Sequence, residues 1–546
     1  MAEQRDPIRI EEIDWPTIFP VVHLFRSFRL AIHPHKLLLA LALVVLLYVF
    51  GWALDCIFGG RIYPNQIRDD AAGVVHEPDF HQNEANNALS KVIEGLAIED
   101  GLAIEDEKEL KKSLREDPYE KKKKTVEAAI RAHFEKKAEE QVDSEDPDRK
   151  QRQNKLWQRR ARRLNYLNQS APRGVFSAAL AYEVEAFDRL VRAAASLRFG
   201  VPELGAMRPE NRNTVFGALR DLLITMPCWM FHHHPVMLIV WELGAMALWA
   251  LLGGAICRMS ALHATRDDWV SIKSALKFAG SKWIWFFLSP LIPLLLVFMI
   301  VLTLAIGGLL FNVPMILDVV AAILFGLALL GGLLAALLLI GVVGGANLLY
   351  PSIAVEGTEA FDAITRAYHY VFFRPWRLIF YTLVSLVYGA ITYLFVGAVV
   401  FLTLALTQWS AGWFVFNSSK QDTVNRFDVI MPAPQLGRFL YDIDYSLLGA
   451  SGVVTAVLVK IWVFLAVAGL GAYVISYYFS ANTWIYLLLR RVADDTEFDD
   501  VYVEESSDEI DADPAPADAA DESEDDTPSE STDGETAGDD SESTQR

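Results

Sequence analysis

Cysteine is almost absent: there are three in 546 residues, Cys56, Cys228 and Cys257, and no C-x-x-C pair. That count excludes a disulfide framework and a thiolate zinc site. Catalytic signatures are missing as well. The chain has no nucleophile elbow, no H-E-x-x-H, no P-loop and no glycine-rich dinucleotide turn, so neither an enzyme nor a bound cofactor is expected. The consecutive His232, His233 and His234 point different ways on any regular backbone, so they read as an interfacial loop and not a metal site. Positive charge is also scarce. The formal net charge is -20, yet from Asp494 onward 23 Asp and Glu face only Arg546, which leaves the rest at +2. The acidic balance describes a tail, and the body offers nucleic acid no basic surface.

What the chain has is apolar length. It is 53% hydrophobic with mean hydropathy +0.24 despite 22% charged residues, which requires segregation into blocks. At about 1.5 Å per residue, the run 37–58 crosses a hydrocarbon core of about 30 Å. It lies too far from Met1, and runs too long, for a cleavable signal peptide. Further spans are expected over 235–257, 283–310, 313–350, 378–407 and 450–489. Pro290 and Pro293 would kink the third. The fourth and sixth are long enough that they must tilt, break or project beyond the bilayer. The expected fold is therefore all-α and polytopic, with six transmembrane helices in a lipid bilayer.

Basic residues set the orientation. The short flanks 1–36, 258–282, 351–377 and 490–491 hold 15 Lys and Arg, whereas the loops 311–312 and 408–449 hold three. Both termini are thus expected on the cytoplasmic side of a bacterial cytoplasmic (inner) membrane. Residues 59–234 then form an extracytoplasmic helical, charged insertion. Within it GLAIED occurs twice in tandem, at 95–100 and 101–106. The charged run 107–163, including Lys121–Lys124, reads as solvated helix or disorder and not as a core. Residues 175–197 look better ordered, with Phe176, Leu180, Val184, Phe187 and Val191 on one stripe. The tail 490–546 has a disordered, acidic composition. The insertion and the tail are the segments expected to meet unidentified protein partners.

The segment 351–377, PSIAVEGTEAFDAITRAYHYVFFRPWR, is an amphipathic elbow between two spans. Phe361, Ile364, Tyr368 and Val371 recur at helical spacing, Thr358 stands as the N-cap, and Pro375 ends the run. Residues 258–282 repeat the pattern with Thr265 as cap and Trp269, Ile272, Leu276 and Ala279 as stripe. At an offset of 92, Trp269/Phe361, Ile272/Ile364, Ala275/Ala367 and Phe278/Tyr370 coincide. Val21, Phe25, Phe28 and Ile32 make a looser third version ahead of the first span. Three parallel elbow–hairpin units follow from this; amphipathic helices ahead of any span are the plainer alternative.

The AVEGTEAFDAITRAYHYVFFRPWR stretch resembles a broad group of uncharacterised bacterial multi-pass proteins. It is also similar to the membrane domain attached to some glycerophosphodiester phosphodiesterases. The whole layout, with its RRxxDDTEFDDVYVEE run after the last span, resembles a family of planctomycete membrane proteins. The resemblance covers the six spans and the junction after them, but not 60–174 or the far tail. It implies a membrane fold and an envelope role. No phosphodiesterase catalytic domain accompanies it, since no soluble region has the apolar content of an α/β barrel.

Three ionisable residues fall inside spans: Glu242, Asp318 and Lys460. An unpaired charge there costs at least about 2.5–3.5 kcal/mol on insertion scales, so Lys460 is expected to face Glu242, Asp318 or both. Snorkelling to the interface is the competing expectation. Cys56 and Cys228 share the outer face, where an oxidising compartment would permit a disulfide, but free thiols are the first expectation. Gly341 and Gly345 form a GxxxG that suits close packing within the bundle, with homo-oligomerisation second. A non-enzymatic scaffold of the bacterial envelope is the leading reading. The alternative is a transporter, channel or lipid-handling protein using the polar residues of the second, fourth and sixth spans.

Overall fold

The computed structural model describes residues 19–63, 66–71, 80–102, 106–108, 110, 119–140, 149–201, 209–312, 317–415, 426–434, 441, 443, 445 and 448–503. Six helices are long and apolar enough to cross a membrane. Among the described residues the only strands are Arg61–Ile62 (β1) and Arg173–Gly174 (β2), an antiparallel pair. The chain is an all-α, multi-pass membrane protein.

The first elbow, α1 (Val22–Ala31), precedes α2 (Pro34–Phe58), which Pro34 opens at a position needing no backbone donor. The insertion follows as α3 (Gln66–Ala71), α4 (Phe80–Ile98), α5 (Tyr119–Glu140), α6 (Arg149–Gln169), α7 (Val175–Ala195) and α8 (Val215–Arg220). A π-helical turn, Asp221–Thr225, leads to α9 (Met226–His233). The return is α10 (Pro235–Leu248), a second π turn at Trp249–Gly253, and α11 (Gly254–Arg266). The second unit is α12 (Ile272–Ser281), α13 (Trp283–Gly308) and α14 (Leu317–Glu356). The third is α15 (Ala360–Phe373), α16 (Pro375–Gly412), the short α17 (Arg426–Ile430) and α18 (Ala450–Ala493).

The three units close into a ring at the elbow end. Elbow α12 packs on α11, α15 packs on α14, and α1 closes the cycle against α18; α11, α14 and α18 also touch one another. Each of these returning helices stops at a residue in the left-handed region: Asp267 (φ 55), Gly357 (φ 66) and Asp495 (φ 55). Left-handed residues recur at helix C-termini because they turn the chain out of the helix, and Gly and Asp tolerate them best. The largest core sits at this end, with Leu24, Ile256, Phe278, Leu348, Tyr370 and Tyr486 among its buried members.

That core explains the long helices. At about 1.5 Å per residue, the 44 residues of α18 run to roughly 66 Å, about twice a hydrocarbon core. The excess projects into protein, since residues 479–490 of α18 are all buried. In α14 the same holds for Leu348–Val355, so 351–356 belong to the returning helix and not to the elbow. The second elbow shortens likewise, because α11 runs on to Arg266. Thr265 lies inside α11 and bonds back to Ala261 O at 2.9 Å; Ser271 caps α12, accepting from Ser274 N at 3.2 Å. Glu359, not Thr358, occupies the N-cap position of α15. Pro290 and Pro293 both lie within the continuous α13.

The apolar stripes are buried only in part. Ala279 of α12 and Val371 of α15 turn inward as expected, joined by Leu24, Ser27, Leu30 and Ala31 in α1, Ala275 and Phe278 in α12, and Ala363, Ala367 and Tyr370 in α15. Phe25, Trp269 and Phe361 are 48%, 70% and 66% exposed. Beside lipid, a large side chain gains little by turning inward, while small ones let backbones approach. The GxxxG follows the same rule inside the chain: Gly341 faces the Tyr368 ring, and Gly344 and Gly345 face Val371 and Ala367 of α15.

The insertion has a core despite its charge. Leu89, Val92, Ile93 and Leu96 of α4 pack with Val126, Ile130 and Phe134 of α5 and with Leu156 and Leu167 of α6. One apolar residue per turn suffices there because three helices converge. The Lys121–Lys124 run lies on the partly solvated first turns of α5. The GLAIED copies open differently: Gly95 lies within α4, followed by Asp100 buried at 1% exposure, whereas Gly101 has φ 69. In α7, Phe176 and Val191 are buried but Val184 is 59% exposed.

Candidate functional site

At the elbow end, the polar groups form one closed network. Glu356, in the last turn of α14, forms an ion pair with Arg490 of α18, its Oε1 2.8 Å from Nε, and accepts from Tyr486 OH at 3.0 Å. Arg366 of α15 lies 3.4 Å from the same oxygen. Tyr370 OH donates to Asp494 at 2.6 Å, and burial pushes its phenol pKa up, with Asp494 adding to the effect. Three helices are tied through one carboxylate.

The network also holds a strap. Residues 494–503, the start of the acidic segment, cross the ends of the returning helices and do not leave the fold at 490 as the composition implied. Tyr502 N donates to Val355 O at 2.9 Å. Arg258 of α11 donates to Ala354 O at 2.8 Å and to Tyr502 O at 2.6 Å, bridging strap and helix. Arg490 takes Asp500 at 2.9 Å, and Arg266 reaches the Asp499 carbonyl at 3.3 Å. Val501 is buried in the main core, and the Phe498 ring lies 5.2 Å from His23 and 6.1 Å from Trp484. The arginines read backbone carbonyls at fixed positions. The arrangement is a clamp that sets where the chain leaves the helical body; residues 504–546, with the disorder expected there, lie outside the described residues.

Of the intramembrane charges, Glu242 has a neighbour other than the one expected. Among the described residues Lys460 on α18 forms no ion pair, with Glu242 on α10 or with any other. Asp318 lies in the first turn of α14, where side chains fall outside the described residues. Glu242 instead neighbours a like charge, Glu183 of α7. Beside them Asp221, 3% exposed at the start of its π turn, pairs with Arg189 at 2.9 Å and accepts from Arg212 Nε at 3.1 Å. Burial, then the charges of Asp221 and Glu242, push the Glu183 carboxyl pKa up to about 8. No periodicity flags this cluster, because Glu183 and Glu242 stand 242 − 183 = 59 positions apart in the sequence and only packing brings them together.

Two further groupings escaped the sequence reading. Lys36, at the start of α2, is 1% exposed and its Nζ has no hydrogen-bond partner among the described residues. Around it stand His33, whose pKa is lowered by burial and then by Lys36 and His35, and the ring of Trp269, 4.7 Å from that of His33. The H-P-H-K run was the available signal. Asp55, near the end of α2, caps α7: its carboxylate accepts from Phe176 N at 2.6 Å and Ser177 N at 3.0 Å.

Cys56 and Cys228 are exposed free thiols, and Cys257 is buried. His232 and His233 end α9, where a loop was expected, and turn Nδ1 back to Cys228 O at 2.7 Å and Trp229 O at 2.9 Å, while His234 forms the junction to α10. Fold and site together define a polytopic helical membrane protein with a clamped ring of elbows. No protein-family model, curated protein or solved structure matches the chain, so the functional reading rests on its own residues.

Proposed function

We propose that this is a non-enzymatic integral protein of a bacterial cytoplasmic membrane, with a scaffold or partner-binding role in the envelope. Both termini and the elbow ring face the cytoplasm, and the insertion faces outward. The observation that carries the reading is the clamp: Arg258, Arg490 and Glu356 spend their charge holding the strap 494–503 in place. A fixed exit point for an acidic segment suits presentation to a partner. The distribution of Lys and Arg supports the orientation, and the resemblance of the whole layout to a family of planctomycete membrane proteins supports an envelope location.

Packing argues in the same direction. Aromatic rings fill the space beside glycines at helix contacts, Phe50 at Gly244, Phe479 at Gly253 and Tyr477 at Gly389. A transporter built on the second, fourth and sixth spans would need their charges to converge, and Glu242 and Lys460 do not pair. Crosslinking in native membranes followed by mass spectrometry tests the proposal. Specific proteins should be captured through the insertion on one side and through the acidic segment on the other. Recovery of lipid or solute adducts alone, with no protein attached to either segment, would count against a scaffold.

A further inference from the structure

The insertion holds a set of side chains that the reading above does not use. Asp69 of α3 and His81 and Glu84 of α4 bring one ligand atom each to within 4.8 Å of one another. His81 Nδ1 is 3.8 Å from Glu84 Oε2, and the two residues stand three apart on one helix face. We propose that these three residues bind a single Zn2+, independently of the scaffold reading.

Donor chemistry and supporting structure agree. One imidazole and two carboxylates suit a borderline divalent ion, and Zn2+ takes such ligands at about 2.0–2.2 Å in tetrahedral geometry. The ligand atoms would then stand about 3.4 Å apart, a change within reach of side-chain rotation from the present spacing. The frame behind them is anchored. In α3, Ile67 is buried at 5% exposure, Arg68 pairs with Glu185 at 2.8 Å, and Asp70 accepts from Trp229 Nε1 at 2.9 Å. The Phe80 ring meets His81 edge-on at 5.3 Å.

A second feature points to a ligand here. His81 and Glu84 line a cavity of about 550 Å³ that also includes Asn87, Lys91, Tyr166 and Ser170. Three protein ligands, two of them bordering open space, match an ion that keeps a fourth position for water. Binding would tie α3 to α4 across the stretch between Asp69 and His81, 81 − 69 = 12 positions, and would brace the insertion where it joins α7 and α9.

The test uses the full chain in detergent with Zn2+ alone, titrated against a chromogenic chelator at neutral pH. Wild type should take one Zn2+ per chain at micromolar concentration. Co2+ in its place should give the visible bands of a tetrahedral site. His81→Ala and Asp69→Asn should each weaken binding at least tenfold, with helical content unchanged; Glu84→Gln serves if one of them fails to fold. A variant with His232, His233 and His234 all changed to Ala should bind as wild type does. Absence of stoichiometric uptake, wild-type affinity in His81→Ala, or loss of binding in the triple-histidine variant would overturn the proposal.

Discussion

Glu183 shows how a single residue's behaviour is set by neighbours remote in sequence. Its pKa rises from 4.5 to about 8 because burial, and then the charges of Asp221 and Glu242, disfavour the carboxylate. The folded state therefore binds its proton more tightly than the unfolded state does. The linked stability is greatest below pH 4.5, falls as pH rises toward 8, and is flat above that. Glu183→Gln, which stays neutral, should melt higher than wild type at pH 8 and flatten the decline between pH 5 and 8. Melting curves in detergent followed by tryptophan fluorescence check this, and parallel pH profiles for the two proteins would refute it. Nothing local to EVEAF announces the effect, since a glutamate at that spacing reads as an ordinary polar face.

Among the elements, α14 divides into two regimes. Towards its start it faces outward: Gly326 and Gly332 have open space where a Cβ would stand. Towards its end, a Cβ on Gly341 would overlap the Tyr368 ring, whose hydroxyl donates to Leu338 O at 2.8 Å. Gly341→Leu should thus separate α14 from α15 and destabilise the chain by about 1–3 kcal/mol, the usual penalty for overpacking. Gly326→Leu should be nearly neutral. Comparing detergent melting temperatures of the two variants decides the matter; equal effects would mean that the GxxxG does not direct this contact. The hairpin of α13 and α14 differs from the others in the same way. None of the most apolar window of α13 and 6% of that of α14 is buried, against 17–28% in the other four spans. The hairpin is held chiefly at its elbow end, by α11, α15 and α18.

At the scale of the whole molecule, the free cysteines provide a topology assay. With the proposed orientation, exposed Cys56 and Cys228 lie on the outer side and buried Cys257 faces the elbow ring. A membrane-impermeant maleimide applied to intact cells should label wild type at both outer thiols and leave a Cys56→Ser/Cys228→Ser protein unlabelled. Labelling of the wild type only after the membrane is opened would reverse the assignment. The elbow ring itself is a three-part closure in which the first elbow seals against the last span. The N-terminal unit is therefore needed to complete a core that the C-terminal unit begins.

Span number and type were determined by the sequence alone, because hydropathy over about 20 residues is a local property and lipid rewards it directly. The presence of an elbow helix ahead of the second and third outgoing spans was also legible, through the Trp269/Phe361 register. Which face each elbow buries was legible only in part, because beside lipid a large side chain gains little by turning inward: Ala363, Ala367 and Tyr370 turn in, and Phe361 turns out. Charge partners followed the same limit. Lys460 and Glu242 share an expected depth, yet only the packing of α7 against the bundle decides that Glu242 meets Glu183. The strap 494–503 was hidden for a related reason. Its composition is that of a solvated tail, and it is ordered by Arg258 and Arg490, whose contacts to carbonyl oxygens depend on backbone position and leave no trace in residue type.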